Sequence, residues 1–223
     1  MGMKIFIGIT RRINIWMRCI ITGHTSGVGQ YLYEHFQNNG WDVLGMSRSN
    51  GYDISTDRDK IVADSIGCDL FINNASSGDS QLELIRRLST KVPKIVTMGS
   101  AGTEFTDIWG KQYTFDKKEL EEAHKLISMD TNVADMLLIK LSFAETTYSR
   151  VKTNRIDSDF TIPYNEIAKS IDFWLTMPNI RQIDFTIKLT DFTINQVKTL
   201  SGKHDLVDNL LDKINSLIYK TNL

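Results

Sequence analysis

Tyr113 and Lys117 are the two residues of this chain whose types and spacing best suit acid–base chemistry. They stand four positions apart at the start of a stretch with helical periodicity, so both would lie on one face of a helix, about one turn apart. A free phenol has a pKa near ~10, which is too high for a base at neutral pH. An ammonium group beside it stabilises the phenolate and lowers that pKa, so the pair would form a proton donor and acceptor suited to neutral pH.

Ser100 adds a third polar group, thirteen residues before Tyr113, at the end of a strand predicted from the apolar run Lys94–Gly99. Its hydroxyl would donate a hydrogen bond to a substrate oxygen on which negative charge develops. A tyrosine and a lysine at this spacing are a weak signal alone, because chance and surface pairing produce them often. Together with the elements that precede them, Ser100, Tyr113 and Lys117 are the predicted catalytic residues.

A glycine-rich turn between Arg18 and Ser49 is the predicted binding element for a phosphate-containing ligand. The apolar run Cys19–Ile21 predicts a buried strand, the helical spacing from Val28 to Phe36 predicts a helix, and Trp41–Met46 predicts a second strand. Glycines let the backbone turn sharply and let a pyrophosphate come close, and the first N–H groups of the helix attract the anion. The residues of the turn predicted to hold the ligand are Gly23, His24, Thr25, Ser26, Gly27, Val28 and Gly29.

The spacing of these glycines limits the class of nucleotide. It is Gly-x3-Gly-x-Gly, which differs from the commonest dinucleotide pattern and lacks the Lys-Ser/Thr ending of a P-loop. The pattern therefore disfavours a nucleotide triphosphatase. A turn that only packs the helix against the strand is the alternative interpretation.

Arg48 directly follows the second predicted strand. In a dinucleotide-binding fold the residue at this point meets the adenosine ribose, where an acid suits a 2′-hydroxyl and an arginine suits a 2′-phosphate. Arg48 therefore favours NADP over NAD, with NAD left open. The alternative is an exposed loop arginine.

Two further predicted strands end in polar residues, at the edge of the sheet where ligands bind in open α/β folds. The first is a short strand over Gly51–Ser55, whose Asp would accept a hydrogen bond from an adenine amine. The second begins at Cys68 and ends in two asparagines, for which turn formation is the alternative role. The candidate cofactor-binding residues here are Asp53, Ile54, Asn73, Asn74 and Ala75.

The alternation of predicted strands and helices indicates an α/β fold, a Rossmann-like doubly wound parallel sheet with helices on both faces in a single domain. We expect residues 1–17 to form an extension and residues 18–195 the dinucleotide-binding catalytic domain. Residues 196–223 would form a helical tail, whose amphipathic stretch Asp205–Tyr219 covers either this domain or a second subunit.

Composition excludes several other functions. The 223-residue chain carries 26 basic and 27 acidic residues, so no nucleic-acid surface is predicted, and no apolar run approaches the ~20 residues of a membrane span. Its four histidines show no metal-ligand spacing, and its two cysteines lie in or beside apolar runs, as is typical of a cytoplasmic protein.

Taken in order, these motifs resemble the short-chain dehydrogenase/reductase family over roughly residues 18–195. The resemblance implies an oxidoreductase that moves hydride between a nicotinamide cofactor and a small carbonyl or alcohol substrate. It implies that Tyr113 is the general acid/base, that Lys117 holds the nicotinamide ribose, and that Ser100 steadies the substrate carbonyl. It also implies a homodimer or homotetramer. The motifs that carry it are Thr22-Gly23-x3-Gly27-x-Gly29, Asp53-Ile54, Asn73-Asn74-Ala75, Ser100 and Tyr113-x3-Lys117.

The chain departs from the family pattern in its middle. Only 24 residues separate Ala75 from Ser100, and none of them is the asparagine that supports the family's proton relay. The Pro-Gly that usually follows the sixth strand is also missing, and Thr146 or Thr147 would take the carboxamide-binding role of the threonine there. These departures leave a second hypothesis open, a catalytically silent regulatory module that binds the dinucleotide. A nucleotide-sugar epimerase or dehydratase would need a larger C-terminal domain.

Overall fold

The computed structural model describes residues 17–104, 111–141, 162–177 and 179–185. Within these ranges six strands form one sheet in which every pairing is parallel. They are β1 Arg18–Thr22, β2 Asp42–Met46, β3 Leu70–Asn73, β4 Lys94–Ser100, β5 Asp135–Leu141 and β6 Gln182–Phe185. The sheet order is β2-β1-β3-β4-β5-β6, so the predicted parallel α/β sheet is confirmed. The order reverses between β1 and β3, and a crevice for ligands forms at such a switch point.

Helices cover both faces of the sheet because consecutive residues of the buried strands point to opposite faces. The helices are α1 Gly27–Asn38, α2 Arg58–Ser65, α3 Ser80–Leu88, α4 Lys111–Ile127 and α5 Tyr164–Thr176. Residues of α1 and α5 pack on one face with Ile21 and Ile72, whereas residues of α2, α3 and α4 pack on the other with Ile20 and Phe71. None of the helices in this part of the chain is long and apolar enough to span a membrane.

The predicted strand over Gly51–Ser55 was wrong, because these residues form a turn between β2 and α2. The backbone N–H groups of Thr56 and Asp57 donate to the Asp53 carbonyl, at 3.1 and 2.7 Å. The Asp53 carboxylate accepts a hydrogen bond from the Ser55 amide at 2.9 Å, which closes an Asx-type turn. Local side-chain bonding therefore overrides the strand preference of Tyr52 and Ile54.

Several predicted features lie outside the described residues. They include the threonines Thr146 and Thr147, nearly all of the 1–17 extension, and the whole 196–223 tail with its amphipathic stretch.

Candidate active site

The glycine turn brings the start of α1 against the end of β1. Gly27, the first residue of α1, has a positive φ of 58°, which glycine adopts without strain. Gly29 has no room for a side chain, since a Cβ atom there would lie 2.2 Å from the Gly23 carbonyl oxygen. The helix therefore begins close to the turn, which is a packing role for Gly29, and the predicted contact of the turn with a phosphate stays a prediction.

The N-terminus of α1 has the features of an anion site. The residue before it, Ser26, is extended and makes no side-chain hydrogen bond to the helix, and the first turn holds no acidic residue. Free N–H groups at a helix start, together with the positive end of the helix dipole, favour a phosphate.

A hydrogen-bond brace between β1 and β3 fixes this turn. The Thr22 hydroxyl oxygen accepts from the backbone N–H groups of Asn74 and Ala75, both at 3.0 Å, and the Asn74 amide donates to the Thr22 carbonyl at 3.0 Å. The Asn73 amide is buried and donates to the Gln81 carbonyl at 2.9 Å. Both asparagine side chains thus hold the scaffold, and their predicted contact with a cofactor stays a prediction.

A cavity of about 550 Å³ opens in front of the turn, at the carboxyl ends of the strands. Seven of its lining residues carry aliphatic hydroxyl groups, and one, Arg48, carries a positive charge. The lining residues are Gly23, Thr25, Ser26, Met46, Ser47, Arg48, Ser49, Tyr52, Asp53, Ile54, Ser55, Ala75, Ser76 and Ser77. The hydroxyl-rich lining at Ser47, Ser49, Ser76 and Ser77 was not predicted, although serines clustered after two strand ends are its signal in the sequence.

Arg48 is exposed at the rim of this cavity, in a short 3₁₀ turn. The turn is fixed because the Ser47 N–H donates to the Asn50 side chain at 2.8 Å and the Asn50 amide donates to the Gly45 carbonyl at 2.7 Å. On the same cavity, hydrogen bonds from Ser55 lower the pKa of the Asp53 carboxyl, with the Arg48 charge as a smaller cause. The cavity therefore combines the Arg48 cation, the Asp53 carboxylate and neutral hydroxyl groups where Arg48 was predicted to meet a ribose.

His24 lies in the glycine turn, and its side chain contacts β2 and α1. Its ring packs beside Gly45, where a Cβ atom would lie 2.2 Å from the ring, and its centroid is 5.1 Å from that of Tyr33. The Val28 side chain is buried in the core. Neither residue is among those that line the cavity, and their predicted contact with a cofactor stays a prediction.

Lys117 is buried on the inner face of α4, and its ammonium group has two acceptors for its three N–H donors. Its Nζ atom donates to Gln81 Oε1 at 2.5 Å and to the Met98 carbonyl at 3.0 Å. Burial lowers the pKa of Lys117 to about 8, against the opposing charges of Glu121 and Asp116. At neutral pH the group is therefore protonated.

Tyr113 lies one turn before Lys117 on the same helix, as predicted. The Lys117 Nζ atom is 5.9 Å from the centroid of the Tyr113 ring. The tyrosine is 44% exposed, and its hydroxyl has no hydrogen-bond partner among the described residues. This arrangement gives an accessible phenol with an ammonium group close to its ring.

Ser100 ends β4 on the same edge of the sheet and is almost buried. Its hydroxyl oxygen accepts from the Gly102 N–H at 3.1 Å, which leaves its own hydroxyl hydrogen to donate. Its backbone N–H donates to Glu121 Oε1 at 3.1 Å. Two hydrogen bonds, one from Lys117 to the Met98 carbonyl and one from Ser100 to Glu121, thus join α4 to β4.

Gln81 and Glu121 are the site residues that sequence reasoning missed. Gln81 is 2% exposed, and its amide nitrogen donates to the Asn73 carbonyl at 2.7 Å and to the Met98 carbonyl at 3.3 Å. Because both donors meet carbonyls, the amide oxygen is the atom that faces Lys117. A glutamine on the buried face of an amphipathic helix was the available signal.

No protein-family model matches the sequence, and no curated protein matches it either. The structure, however, is similar to solved structures. A 3-ketoacyl-(acyl-carrier-protein) reductase from Brucella melitensis complexed with NADH has a TM-score of 0.60 at 15% identity, over 75% of this chain and 96% of that one. An alcohol dehydrogenase from the archaeon Thermococcus sibiricus complexed with 5-hydroxy-NADP has a TM-score of 0.59 at 11% identity, over 76% and 96%.

A third structure, described as a short chain dehydrogenase/reductase family protein, has a TM-score of 0.59 at 13% identity, over 75% of this chain and 95% of that one. At these identities the likeness bears on the fold. The described part of the chain has the fold of the short-chain dehydrogenases/reductases.

Proposed function

We propose that this chain is a short-chain dehydrogenase/reductase that prefers NADP and moves hydride between nicotinamide and a carbonyl or alcohol carbon. The observation that carries the proposal is that the candidate phosphate site and the candidate catalytic residues lie toward the same edge of the sheet. A helix start suited to phosphate opens on a hydroxyl-rich cavity at the strand ends, Ser100 ends β4, and α4, which carries Tyr113 and Lys117, is hydrogen-bonded to β4. The similar structures that hold NADH or 5-hydroxy-NADP support the same proposal.

The residues present fit a nicotinamide dinucleotide. The diphosphate would lie at the start of α1, where Gly29 lets the helix begin close to the turn at Gly23 and Ser26 leaves the first N–H groups free. The adenosine half would lie in the cavity, with Arg48 against a ribose 2′-phosphate. The bound nicotinamide supplies or accepts the hydride.

The protein's own residues would carry the proton. In the reductive direction the Tyr113 hydroxyl gives its proton to the carbonyl oxygen, and in the oxidative direction the phenolate takes it from the alcohol. The Lys117 ammonium near the ring stabilises that phenolate. The Ser100 hydroxyl donates a hydrogen bond to the same substrate oxygen and so stabilises its developing charge.

The decisive experiment compares native protein with Tyr113→Phe on a panel of aldehydes and ketones, with NADPH oxidation as the measurement. We expect kcat/KM to fall on the order of 100-fold or more, the usual contribution of a positioned acid, while NADPH binding persists. Tyr33→Phe, on α1, is the matched control and should keep full activity. Undiminished turnover in Tyr113→Phe would remove this residue from the mechanism.

A second candidate is a regulatory module that binds the dinucleotide without turnover. Two observations favour it. Both acceptors of the Lys117 ammonium group belong to the protein interior. The ammonium nitrogen also lies 5.9 Å from the centroid of the partly exposed Tyr113 ring. This candidate predicts tight NADPH binding with no oxidation by any substrate of the panel.

A further inference from the structure

We propose that Glu121 is a positioning residue of this site: its carboxylate, paired with Lys140, holds the turn that carries Ser100 against the helix that carries Tyr113 and Lys117. The inference rests on the proposed function and adds to it a residue outside the predicted catalytic set.

Each oxygen of the Glu121 carboxylate has a partner in the turn Ser100–Thr103, which follows β4. Oε1 accepts from the Ser100 backbone N–H at 3.1 Å, and Oε2 lies 3.1 Å from the Thr103 hydroxyl and 3.2 Å from Lys140 Nζ. The side chains of Glu121 and Lys140 are only 13% and 12% exposed. The carboxylate is thus a partly buried centre that joins α4, the end of β4 and the end of β5.

The turn itself is bonded so that Ser100 has little freedom. The Thr103 hydroxyl donates to the Ser100 carbonyl at 2.8 Å, and the Gly102 N–H donates to the Ser100 hydroxyl oxygen at 3.1 Å. With Glu121 on the Ser100 N–H, the amide, the carbonyl and the hydroxyl oxygen of this residue are all held. Only the Ser100 hydroxyl hydrogen stays available, which is the donor that the proposed mechanism uses.

The Glu121 carboxylate lies on the same helix as the predicted catalytic residues Tyr113 and Lys117. Glu121 follows Lys117 by four residues and Tyr113 by eight, so the three share one face of α4. The sheet makes room for it at Gly99, where a Cβ atom would lie 3.0 Å from Glu121 Oε1. Burying an ion pair is a poor way to gain stability compared with apolar packing, so a geometric role accounts better for its presence.

The Glu121 charge also acts on Lys117. It counters the effect of burial, which lowers the pKa of Lys117, and Asp116 on the same helix acts in the same direction. The other groups around the ammonium, Gln81 of α3 and the Met98 carbonyl of β4, are uncharged, while Lys140 of β5 faces Glu121 itself. Loss of the Glu121 charge should therefore move the alkaline limb of the kcat/KM profile to lower pH.

Three variants test the inference: Glu121→Gln, Glu121→Leu, and Glu121→Leu combined with Lys140→Leu. The double variant removes both charges of this partly buried pair and leaves neither unpaired, so its fold is kept even where the single Glu121→Leu variant is unstable. Glu119→Gln, an exposed carboxylate of the same helix, is the matched control. The readouts are kcat, the dissociation constant of NADPH, the pH profile, and hydrogen exchange of the Ser100 amide.

We expect the double variant to lose kcat on the order of 100-fold, the loss that an ångström-scale misplacement causes, with its NADPH dissociation constant unchanged. The Ser100 amide should exchange faster in it than in native protein. Glu121→Gln, which keeps the acceptor for that amide, should retain more activity but show the shifted alkaline limb. Glu119→Gln should match native protein in every readout.

A double variant with native kcat and a native exchange rate of the Ser100 amide would overturn the inference. A double variant whose kcat falls no further than that of the control Glu119→Gln would overturn it too. Failure of the proposed function gives a different pattern: native protein would bind NADPH without oxidising it, and Tyr113→Phe would change nothing. A large kcat loss in Tyr113→Phe with none in the double variant would overturn the role of Glu121 alone.

Discussion

Lys117 and Gln81 are 36 residues apart in the chain, yet the lysine Nζ atom lies 2.5 Å from the glutamine Oε1 atom, with both residues buried. The glutamine donors are held by the carbonyls of Asn73 and Met98, so its oxygen has a fixed orientation. Gln81 thus occupies the shortened middle of the chain, where the sequence lacks the family's relay asparagine. It holds the ammonium group directly.

Replacing Gln81 with Met should destabilise the protein, because the buried ammonium group loses one of its two acceptors. Hydrogen bonds to charged groups contribute roughly 1.5–3 kcal/mol, and we expect the free energy of unfolding to fall by about that amount at pH 7. Urea unfolding measures it. Gln30→Met, at an exposed glutamine of α1, is the control, and an equal loss in both variants would contradict the importance of the contact.

The stability of the protein should rise with pH above about 8 through Lys117. Its folded pKa is about 8 and its ordinary value is 10.5, so between these values the unfolded chain binds more protons than the folded one. Folding therefore gains free energy as pH rises through that window, by about 3 kcal/mol at most. The difference in unfolding free energy between native protein and Lys117→Met, followed from pH 7.5 to 10.5, isolates this contribution. A difference that does not change with pH would refute it.

The sequence predicted the elements better than the contacts between them. The helix predicted from Val28 to Phe36 and the strand over Lys94–Gly99 agree with the structure, because their periodicity and their turn signals are local. The turn at Gly51–Ser55 was missed because bonding by the Asp53 side chain competes with a local strand preference.

Contacts between side chains that are distant in the chain could not be predicted from the sequence. Spacing placed Tyr113 and Lys117 on one helix face, but Gln81 and Glu121 meet their partners 36 and 21 residues away, where no periodic pattern connects them. His24 shows the same limit: the motif located the turn, whereas the direction of the ring depends on the space left by Gly45 of the neighbouring strand β2.

Arg48→Ala should weaken the binding of NADPH and leave that of NADH unchanged. A charged hydrogen bond to a phosphate contributes roughly 1.5–3 kcal/mol, so the dissociation constant of NADPH should rise by about 10- to 100-fold. Isothermal titration of both cofactors measures the difference. Arg86→Ala, at an exposed arginine of α3, is the control. Equal changes for the two cofactors would end the assignment of Arg48 to a 2′-phosphate.

His124 should make the protein sensitive to mild acid. It is 2% exposed on α4, neither ring nitrogen has a partner in the described structure, and burial, aided by the Arg181 charge, lowers its pKa to about 4. The unfolded histidine has its ordinary pKa of 6.5, so between pH 6.5 and 4 the unfolded chain binds more protons than the folded one. The free energy of unfolding therefore decreases as the pH is lowered through this range, by about 3 kcal/mol at most. His124→Leu should lose less unfolding free energy than native protein between pH 7.5 and 5, measured by urea unfolding. The same loss in both proteins would show that His124 does not titrate as a buried neutral group.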